Sequence, residues 1–211
     1  MRLDTTLYFI TDSTGFEKDE FLRRVRSALE GGVTIIQLRE KNRTTREYIE
    51  LAEAVHAITK EFNVPLIIDD RIDVMLAADC EGVHVGAEDM PVATARKLIG
   101  KDKILGATAK TVEAAIKAYN DGADYLGVGA IYPTTTKVKT VLTSTETLDS
   151  ITKAVPIPVN AIGGLNSTNL GVLKGINISG VCAVSAIMKA DSPKNAAIEL
   201  KQAFEDIRRN S

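Results

Sequence analysis

Short β-branched runs bounded by Gly, Pro or Asp alternate along the chain with longer stretches in which apolar residues recur at helical spacing. The short runs predict eight strands, at residues 7–11, 34–39, 65–69, 82–85, 104–107, 125–128, 158–161 and 180–184. The longer stretches predict eight helices, at residues 18–30, 45–62, 72–78, 92–99, 112–121, 144–154, 167–174 and 193–208. Strands that each lead into a helix are typical of α/β proteins built from βα units.

Eight such units are the expected content of a (β/α)8 TIM barrel, in which parallel strands close on themselves inside a ring of helices. A doubly wound open sheet is the alternative, and it usually needs fewer strands at this length. The sequence shows no linker and no low-complexity segment. We therefore expect one barrel domain spanning residues 1–211.

The charge balance argues against nucleic acid as a partner. Lys and Arg total 26 against 28 for Asp and Glu, which gives a formal charge of −2, and the two signs are interspersed. A protein that contacts phosphates along a nucleic acid needs a basic surface or stripe. We expect phosphorylated small molecules as ligands instead, and the sequence leaves open whether the chain forms a homo-oligomer.

Composition also predicts a soluble, cytoplasmic protein. Hydrophobic residues make up 45% of the chain and charged residues 26%, as in ordinary globular domains. The longest apolar runs, such as residues 64–68, are far shorter than the roughly 18 residues that span a bilayer. No signal peptide is readable, and Cys80 and Cys182 lie about a hundred residues apart without metal-ligand spacing. The cysteines indicate a reducing compartment.

In a TIM barrel the active site lies at the carboxyl ends of the strands. Asp70 and Asp89 follow neighbouring predicted strands, so the two carboxylates can converge on one hard cation such as Mg²⁺. Each acid alone is equally compatible with a helix N-cap. A soft-metal site is not expected, because His56 lies within a helix and His84 has no Cys or His at ligand spacing.

Four basic residues, Arg39, Lys41, Lys110 and Lys137, also follow predicted strands. Cations that converge with Mg²⁺ would suit a substrate bearing a diphosphate, although loop cations are often merely solvated, and for Lys110 both interpretations stay open. Gln37 shares a pleat face with Arg39, which points both side chains into the barrel mouth.

The loops after the last three strands predict a phosphate site. Gly163 and Gly164 offer unobstructed backbone N–H groups, and Ser185 opens a short predicted helix at residues 185–189, although Gly pairs are commonly only turns. Residues 129–142 form the longest break without a predicted element, as lids and binding loops do. The hydroxyls of the three threonines at 134–136 within it could hold a phosphate or a polar ring substituent, or could belong only to a solvated turn.

Taken in order, these motifs resemble thiamine-phosphate synthases over residues 7–187. The resemblance rests on Gln-Leu-Arg-Glu-Lys at 37–41, Asp70, Gly-Val-His-Val-Gly-Ala-Glu-Asp-Met-Pro at 82–91, Pro-Thr-Thr-Thr-Lys at 133–137, Ile-Gly-Gly at 162–164 and Val-Ser-Ala-Ile at 184–187. It implies a transferase of thiamine biosynthesis that joins 4-amino-2-methyl-5-hydroxymethylpyrimidine diphosphate to 4-methyl-5-(2-hydroxyethyl)thiazole phosphate. The products are thiamine phosphate and diphosphate.

The resemblance also implies three groups of site residues. The pyrimidine diphosphate would be held by Gln37, Leu38, Arg39, Glu40, Lys41, Asp69, Thr108 and Lys137. The thiazole phosphate would be held by Thr134, Thr135, Thr136, Gly164, Val184 and Ser185. The cofactor Mg²⁺ would be held by Asp70 and Asp89.

This reaction requires stabilisation of the leaving group and does not require a nucleophilic side chain. If the pyrimidine CH2–O bond breaks before attack, it leaves a resonance-stabilised cation. We therefore assign Arg39, Lys41 and Lys137 to the charge of the departing diphosphate and the 129–142 loop to the exclusion of water.

Two residues depart from the family's usual pattern, since Asp69 stands where Asn is usual and Thr108 where Ser is frequent. The Asp69 carboxylate would add an acid to the metal site, and in that case Asp69→Asn should alter the Mg²⁺ dependence. The related thiazole tautomerase is the rival function, but as the resemblance has it that enzyme relies on a His where this chain has Lys110. A non-catalytic barrel that binds phosphorylated ligands is a rival of another class.

Overall fold

The computed structural model describes residues 3–134 and 142–209. Within these ranges eight parallel strands close into one barrel, and each strand pairs with its neighbours in chain order. The strands are β1 (Leu7–Ile10), β2 (Ile35–Leu38), β3 (Leu66–Asp69), β4 (Gly82–Val85), β5 (Ile104–Ala109), β6 (Tyr125–Gly129), β7 (Val159–Ile162) and β8 (Gly180–Ala183). Pairing of β8 with β1 completes the closure, which confirms the predicted (β/α)8 barrel and excludes the open sheet.

Helices follow the strands and cover the outside of the barrel. They are α1 (Lys18–Glu30), α2 (Thr45–Glu61), α3 (Ile72–Ala77), α4 (Val92–Ile99), α5 (Val112–Asn120), α6 (Thr145–Ala154), α7 (Ser185–Met188) and α8 (Pro193–Arg209). In the described part of the chain, none of them combines the length and apolar character needed to cross a membrane.

The helix predicted at residues 167–174 is wrong, because the chain there forms only a short 3-10 helix, Leu170–Leu173. Two asparagines explain the difference. The Asn169 side-chain oxygen accepts from the Asn166 N–H at 2.9 Å, and the Asn166 side-chain oxygen accepts from the Thr168 N–H at 2.9 Å. Such local side-chain bonds to the backbone compete with helix formation.

Side chains alternate along each strand between the barrel interior and the layer beneath the helices. The outer layer is a continuous apolar core that includes Phe9, Phe21 and Phe204, all buried. The inner cluster is smaller and consists of Tyr8, Ile10, Ile35, Ile67, Tyr125 and Cys182. The inner cluster therefore fills the barrel, and polar side chains occupy the inward positions nearer the carboxyl ends of the strands.

A capping box fixes the start of α2 and with it the end of the loop after β2. The Thr44 hydroxyl accepts from the Glu47 N–H, and the Glu47 carboxylate accepts from the Thr44 N–H at 2.9 Å. This reciprocal pair satisfies two backbone donors at the helix N-terminus. The segment between β2 and α2, which carries Lys41, is consequently anchored at both ends.

Candidate active site

An open cavity lies at the carboxyl ends of the strands, inside the barrel mouth. Its walls come from every strand, and residues predicted from the sequence as ligand contacts form much of them. Those that line the cavity are Gln37, Arg39, Asp69, Thr108, Thr134, Gly164, Val184 and Ser185. The location agrees with the rule for TIM barrels.

Strand β2 and the residue that follows it direct two side chains into this cavity, as the pleat predicts. Gln37 is buried, and its Nε2 donates to the Tyr8 hydroxyl at 2.9 Å. One pleat repeat later, the Arg39 Nε atom lies 3.7 Å from Asp69 Oδ2 on β3. The acid thus steadies one edge of the guanidinium, whose side chain also lines the cavity.

Three acids and one lysine meet beside the cavity. The Lys41 Nζ atom lies 2.9 Å from Asp69 Oδ2 and also donates to Asp70 Oδ2. The Asp70 and Asp89 carboxyl groups lie close enough for each to shift the pKa of the other. The structure therefore brings together Lys41, the predicted metal ligands Asp70 and Asp89, and Asp69, which stands where the family usually has Asn.

The electrostatics of this cluster reflect crowding of negative charge. Burial, reinforced by the charge of Asp70, raises the pKa of Asp69 to about 6 against the opposing effect of Lys41. Burial also acts to raise the pKa of Asp70, but the hydrogen bond with Lys41 and the interaction with Asp89 hold that pKa below its usual range. Burial and the Asp70 carboxylate raise the pKa of Asp89. A positive charge placed between the acids would relieve this repulsion.

Backbone geometry sets the direction of both predicted metal ligands. Asp70 adopts a left-handed conformation with φ of 60°, and its N–H donates to the His84 carbonyl at 2.8 Å. Asp89 accepts from the Gly86 N–H at 3.0 Å, and a Cβ on Gly86 would lie 2.5 Å from Asp89 Oδ2. Residue 86 must consequently be glycine if the Asp89 carboxylate is to keep this position.

The donor set fits a hard divalent cation. Although Asp69 lies nearby, no three His, Cys, Asp or Glu side chains among the described residues form a group that could hold a metal ion. Mg²⁺ needs only one or two protein carboxylates, since water and phosphate oxygens complete its octahedron. The facing carboxyl groups of Asp70 and Asp89 supply that number.

Gly163 and Gly164 let the loop after β7 pack directly on the loop after β6. Both have positive φ, 104° and 66°, and a Cβ on Gly163 would lie 2.3 Å from the Ala130 Cβ. The Gly163 carbonyl accepts from the Tyr132 N–H at 3.0 Å. Among residues 3–134 and 142–209, no backbone acceptor is recorded for the N–H group of either glycine.

The remaining predicted site residues do not all line the cavity. Leu38 is fully buried in the outer core, so its side chain faces the helices and not the cavity. Glu40 turns away to accept from Ser13 at 2.8 Å and from Arg43 at 2.9 Å. Lys110 is exposed at the cavity wall. Thr135, Thr136 and Lys137 lie outside the described residues.

Sequence reasoning missed a polar group at the base of the cavity. His84 on β4 is buried between Tyr125, whose hydroxyl is 3.2 Å from Nδ1, and Thr108, whose hydroxyl is 3.0 Å from Nε2. Burial lowers the pKa of His84 to about 4, against the opposing charge of Asp70, so the ring is neutral at pH 7. Gly106 makes room, because a Cβ there would lie 2.2 Å from Tyr125 Cζ. The sequence did carry a signal for this group. His84 and Tyr125 lie at inward positions of β4 and β6, on either side of Gly106 in β5.

The fold and the cavity together define a (β/α)8-barrel enzyme with its charged residues at the carboxyl ends of the strands. The sequence model of the thiamine monophosphate synthase family matches residues 7–187. The chain belongs to this family, whose members are transferases, and the resemblance in the motifs is confirmed.

Individual relatives are similar in sequence to this chain over nearly its full length. "Thiamine-phosphate synthase" of Clostridium tetani is 47% identical over 204 residues, which cover 97% of this chain and 98% of the relative. "Thiamine-phosphate synthase" of Enterococcus faecalis is 50% identical over 191 residues and 90% of each chain. The solved structure of thiamine phosphate pyrophosphorylase from Pyrococcus furiosus has a TM-score of 0.88 at 38% identity, covering 98% of both chains.

Proposed function

We propose that this chain is a Mg²⁺-dependent thiamine-phosphate synthase. It would join 4-amino-2-methyl-5-hydroxymethylpyrimidine diphosphate to 4-methyl-5-(2-hydroxyethyl)thiazole phosphate and release diphosphate. The observation that carries the proposal is the convergence of Arg39, Lys41 and the Asp70 and Asp89 pair beside one cavity. Family membership and relatives that cover both chains almost completely support the same reaction.

Asp70 and Asp89 would hold the Mg²⁺ ion. When bound, the ion supplies positive charge to the oxygens of the diphosphate and makes it a better leaving group. Lys41 contributes from the protein side, because its ammonium already bridges Asp69 and Asp70 and keeps these acids compatible with an anionic substrate. The acids in turn hold that ammonium beside the cavity.

Arg39 would stabilise charge on the departing diphosphate. The CH2–O bond of the pyrimidine substrate breaks with its electron pair leaving on diphosphate, and the thiazole nitrogen then supplies the pair for the new C–N bond. Atoms and charges balance without transfer of a proton. The guanidinium is held by Asp69 on one side and faces the cavity on the other, so its charge is oriented before the bond breaks.

The thiazole phosphate would bind across the barrel from β2, on the loops after β6, β7 and β8. Thr134, Gly164 and Ser185 line that wall of the cavity. The backbone N–H groups of Gly163 and Gly164, for which no acceptor is recorded among residues 3–134 and 142–209, would donate to the phosphate there. The two substrates would thus meet over the base of the cavity. There the cation left by cleavage of the pyrimidine CH2–O bond would be shielded from water.

The cysteines support a reducing compartment such as the cytoplasm for this enzyme. Cys80 and Cys182 are both buried and unpaired with each other. Extracellular proteins of this size more often pair their cysteines.

The reaction is tested by incubating the chain with both substrates and Mg²⁺ and separating the products. We expect thiamine phosphate to accumulate, and chelation of Mg²⁺ with EDTA to stop it. The rival thiazole tautomerase would give no thiamine phosphate but would isomerise the thiazole carboxylate phosphate. A non-catalytic binding barrel would do neither.

A further inference from the structure

A continuous line of hydrogen bonds crosses the barrel interior beneath the cavity. Gln37 Nε2 donates to the Tyr8 hydroxyl at 2.9 Å, and the Tyr8 hydroxyl lies 2.6 Å from that of Tyr125. The Tyr125 hydroxyl lies 3.2 Å from His84 Nδ1, and His84 Nε2 lies 3.0 Å from Thr108 Oγ1. The side chains come from five different strands, β2, β1, β6, β4 and β5, and we call them the relay.

The number of available protons decides which group donates in the first hydrogen bonds of the relay, those of Tyr8. The Tyr8 oxygen accepts from the Gln37 amide, and the phenol has one proton of its own to place. Within residues 3–134 and 142–209, its other hydrogen-bond partner is the Tyr125 hydroxyl. Tyr8 therefore donates to Tyr125, since a buried hydroxyl proton without an acceptor would be costly.

The direction continues through the imidazole. Because the Tyr125 oxygen is taken as an acceptor, its own proton goes to the remaining partner, His84 Nδ1. A neutral ring that accepts at Nδ1 carries its proton at Nε2. His84 therefore donates from Nε2 to the Thr108 oxygen, and the Thr108 proton is left to point elsewhere.

We propose that the relay locks His84 in the Nε2–H tautomer and thereby makes the Thr108 hydroxyl a donor into the cavity. The proposal rests on the proposed function, in which the acceptor is an oxygen of the departing diphosphate. If the hydrogen bonds of the relay ran in the opposite direction, Thr108 would donate to His84, and the lone pairs of the Thr108 oxygen would face the anion. Tyr8, Tyr125 and His84 are thus positioning residues, and they act through Thr108.

The tautomer is measured directly by NMR of protein labelled with ¹⁵N-histidine. The chain contains two histidines, so the spectrum is simple, and a His56→Gln variant assigns the second signal. His56 lies outside the barrel interior on α2, where Nε2 is 2.9 Å from Glu81. We expect His84 to carry its proton on Nε2 without ligand. A proton on Nδ1 would overturn the proposal, whatever reaction the enzyme catalyses.

The effect on the reaction is measured with Thr108→Val, which removes the hydroxyl, and Tyr125→Phe, which removes the donor to His84. We expect each to lower kcat about 10-fold to 100-fold, the range for a hydrogen bond to a charged group, with a smaller change in KM. Thr108→Ser should keep most of the activity. Tyr119→Phe on the exposed face of α5 is the matched control and should leave kcat unchanged.

The double variant separates positioning from packing. If Tyr125 acts through Thr108, adding Tyr125→Phe to Thr108→Val should lower kcat by less than two-fold. Two effects that multiply would overturn the proposal, because they would mean that Tyr125 supports the site independently. If Tyr125→Phe fails to fold, the NMR measurement on the unaltered protein still decides. A protein that shows the Nε2–H tautomer but makes no thiamine phosphate would contradict the proposed function and not the relay.

Discussion

The ammonium group of Lys41 lies 2.9 Å from the carboxylate of Asp69, and it joins the loop after β2 to the end of β3. The same ammonium also contacts Asp70, so one lysine offsets two adjacent acids at the edge of the cavity. Burial lowers the pKa of Lys41, but the hydrogen bond with Asp70 and the charge of Asp69 outweigh it and raise that pKa. Lys41 therefore remains charged at any physiological pH.

Replacing Lys41 should damage turnover far more than folding. The side chain is 46% exposed, and an ion pair this open contributes at most about 1 kcal/mol to the free energy of unfolding. We expect Lys41→Ala to reduce kcat/KM by at least about 10-fold, because the leaving diphosphate loses a cation. Steady-state kinetics and urea unfolding check both parts, with Lys153→Ala on the exposed face of α6 as control. Equal losses of kcat/KM in Lys41→Ala and in the control would refute the role of Lys41 in stabilising the leaving diphosphate.

Asp89 tests the proposed metal pair. Its carboxylate accepts one backbone hydrogen bond within its own loop, from Gly86, so Asp89→Ala should leave the barrel folded. We expect turnover to vanish and the affinity for Mg²⁺, measured by calorimetry, to fall. Asp121→Ala, which removes an acid at the far end of α5, should change neither quantity. Near-normal turnover in Asp89→Ala would show that the metal assignment is wrong.

Much of this architecture could be predicted from the sequence, because strand and helix periods are local. The convergence of Asp70 with Asp89 was also predictable, since acids that follow neighbouring parallel strands meet at one edge. The relay was not, because contact between Tyr8 and Tyr125 arises only when the barrel closes and depends on side-chain direction. Glu40 shows the same limit. Nothing in its motif indicates that Ser13 and Arg43 turn it away from the cavity.

Gly106 should tolerate no side chain, because it leaves the space that Tyr125 and His84 occupy. A Cβ there would lie 2.2 Å from Tyr125 Cζ and 2.5 Å from His84 Nδ1. Overpacking of this kind costs about 1–3 kcal/mol, so Gly106→Ala should lower the urea midpoint by the corresponding amount. Gly171→Ala is the control, since no atom lies within 4 Å of its added methyl group. Equal stability of the two variants would contradict this packing.

Both cysteines should resist alkylation while the protein is folded. Burial raises the pKa of Cys80 to about 12 and also raises that of Cys182, so at pH 8 neither is appreciably the reactive thiolate. We expect iodoacetamide to label almost no thiol in buffer and both thiols in urea, as counted by mass spectrometry. Rapid labelling of Cys182 in buffer would mean that the barrel interior opens to solvent.

The proposed reaction transfers a pyrimidine methylene group from diphosphate to a thiazole nitrogen in the barrel mouth. The most direct test measures thiamine phosphate and free diphosphate together, in the presence of both substrates and Mg²⁺. We expect equal amounts of the two products, because each C–O bond that breaks is matched by one new C–N bond. Release of diphosphate without thiamine phosphate, or no reaction at all, would contradict the proposed reaction.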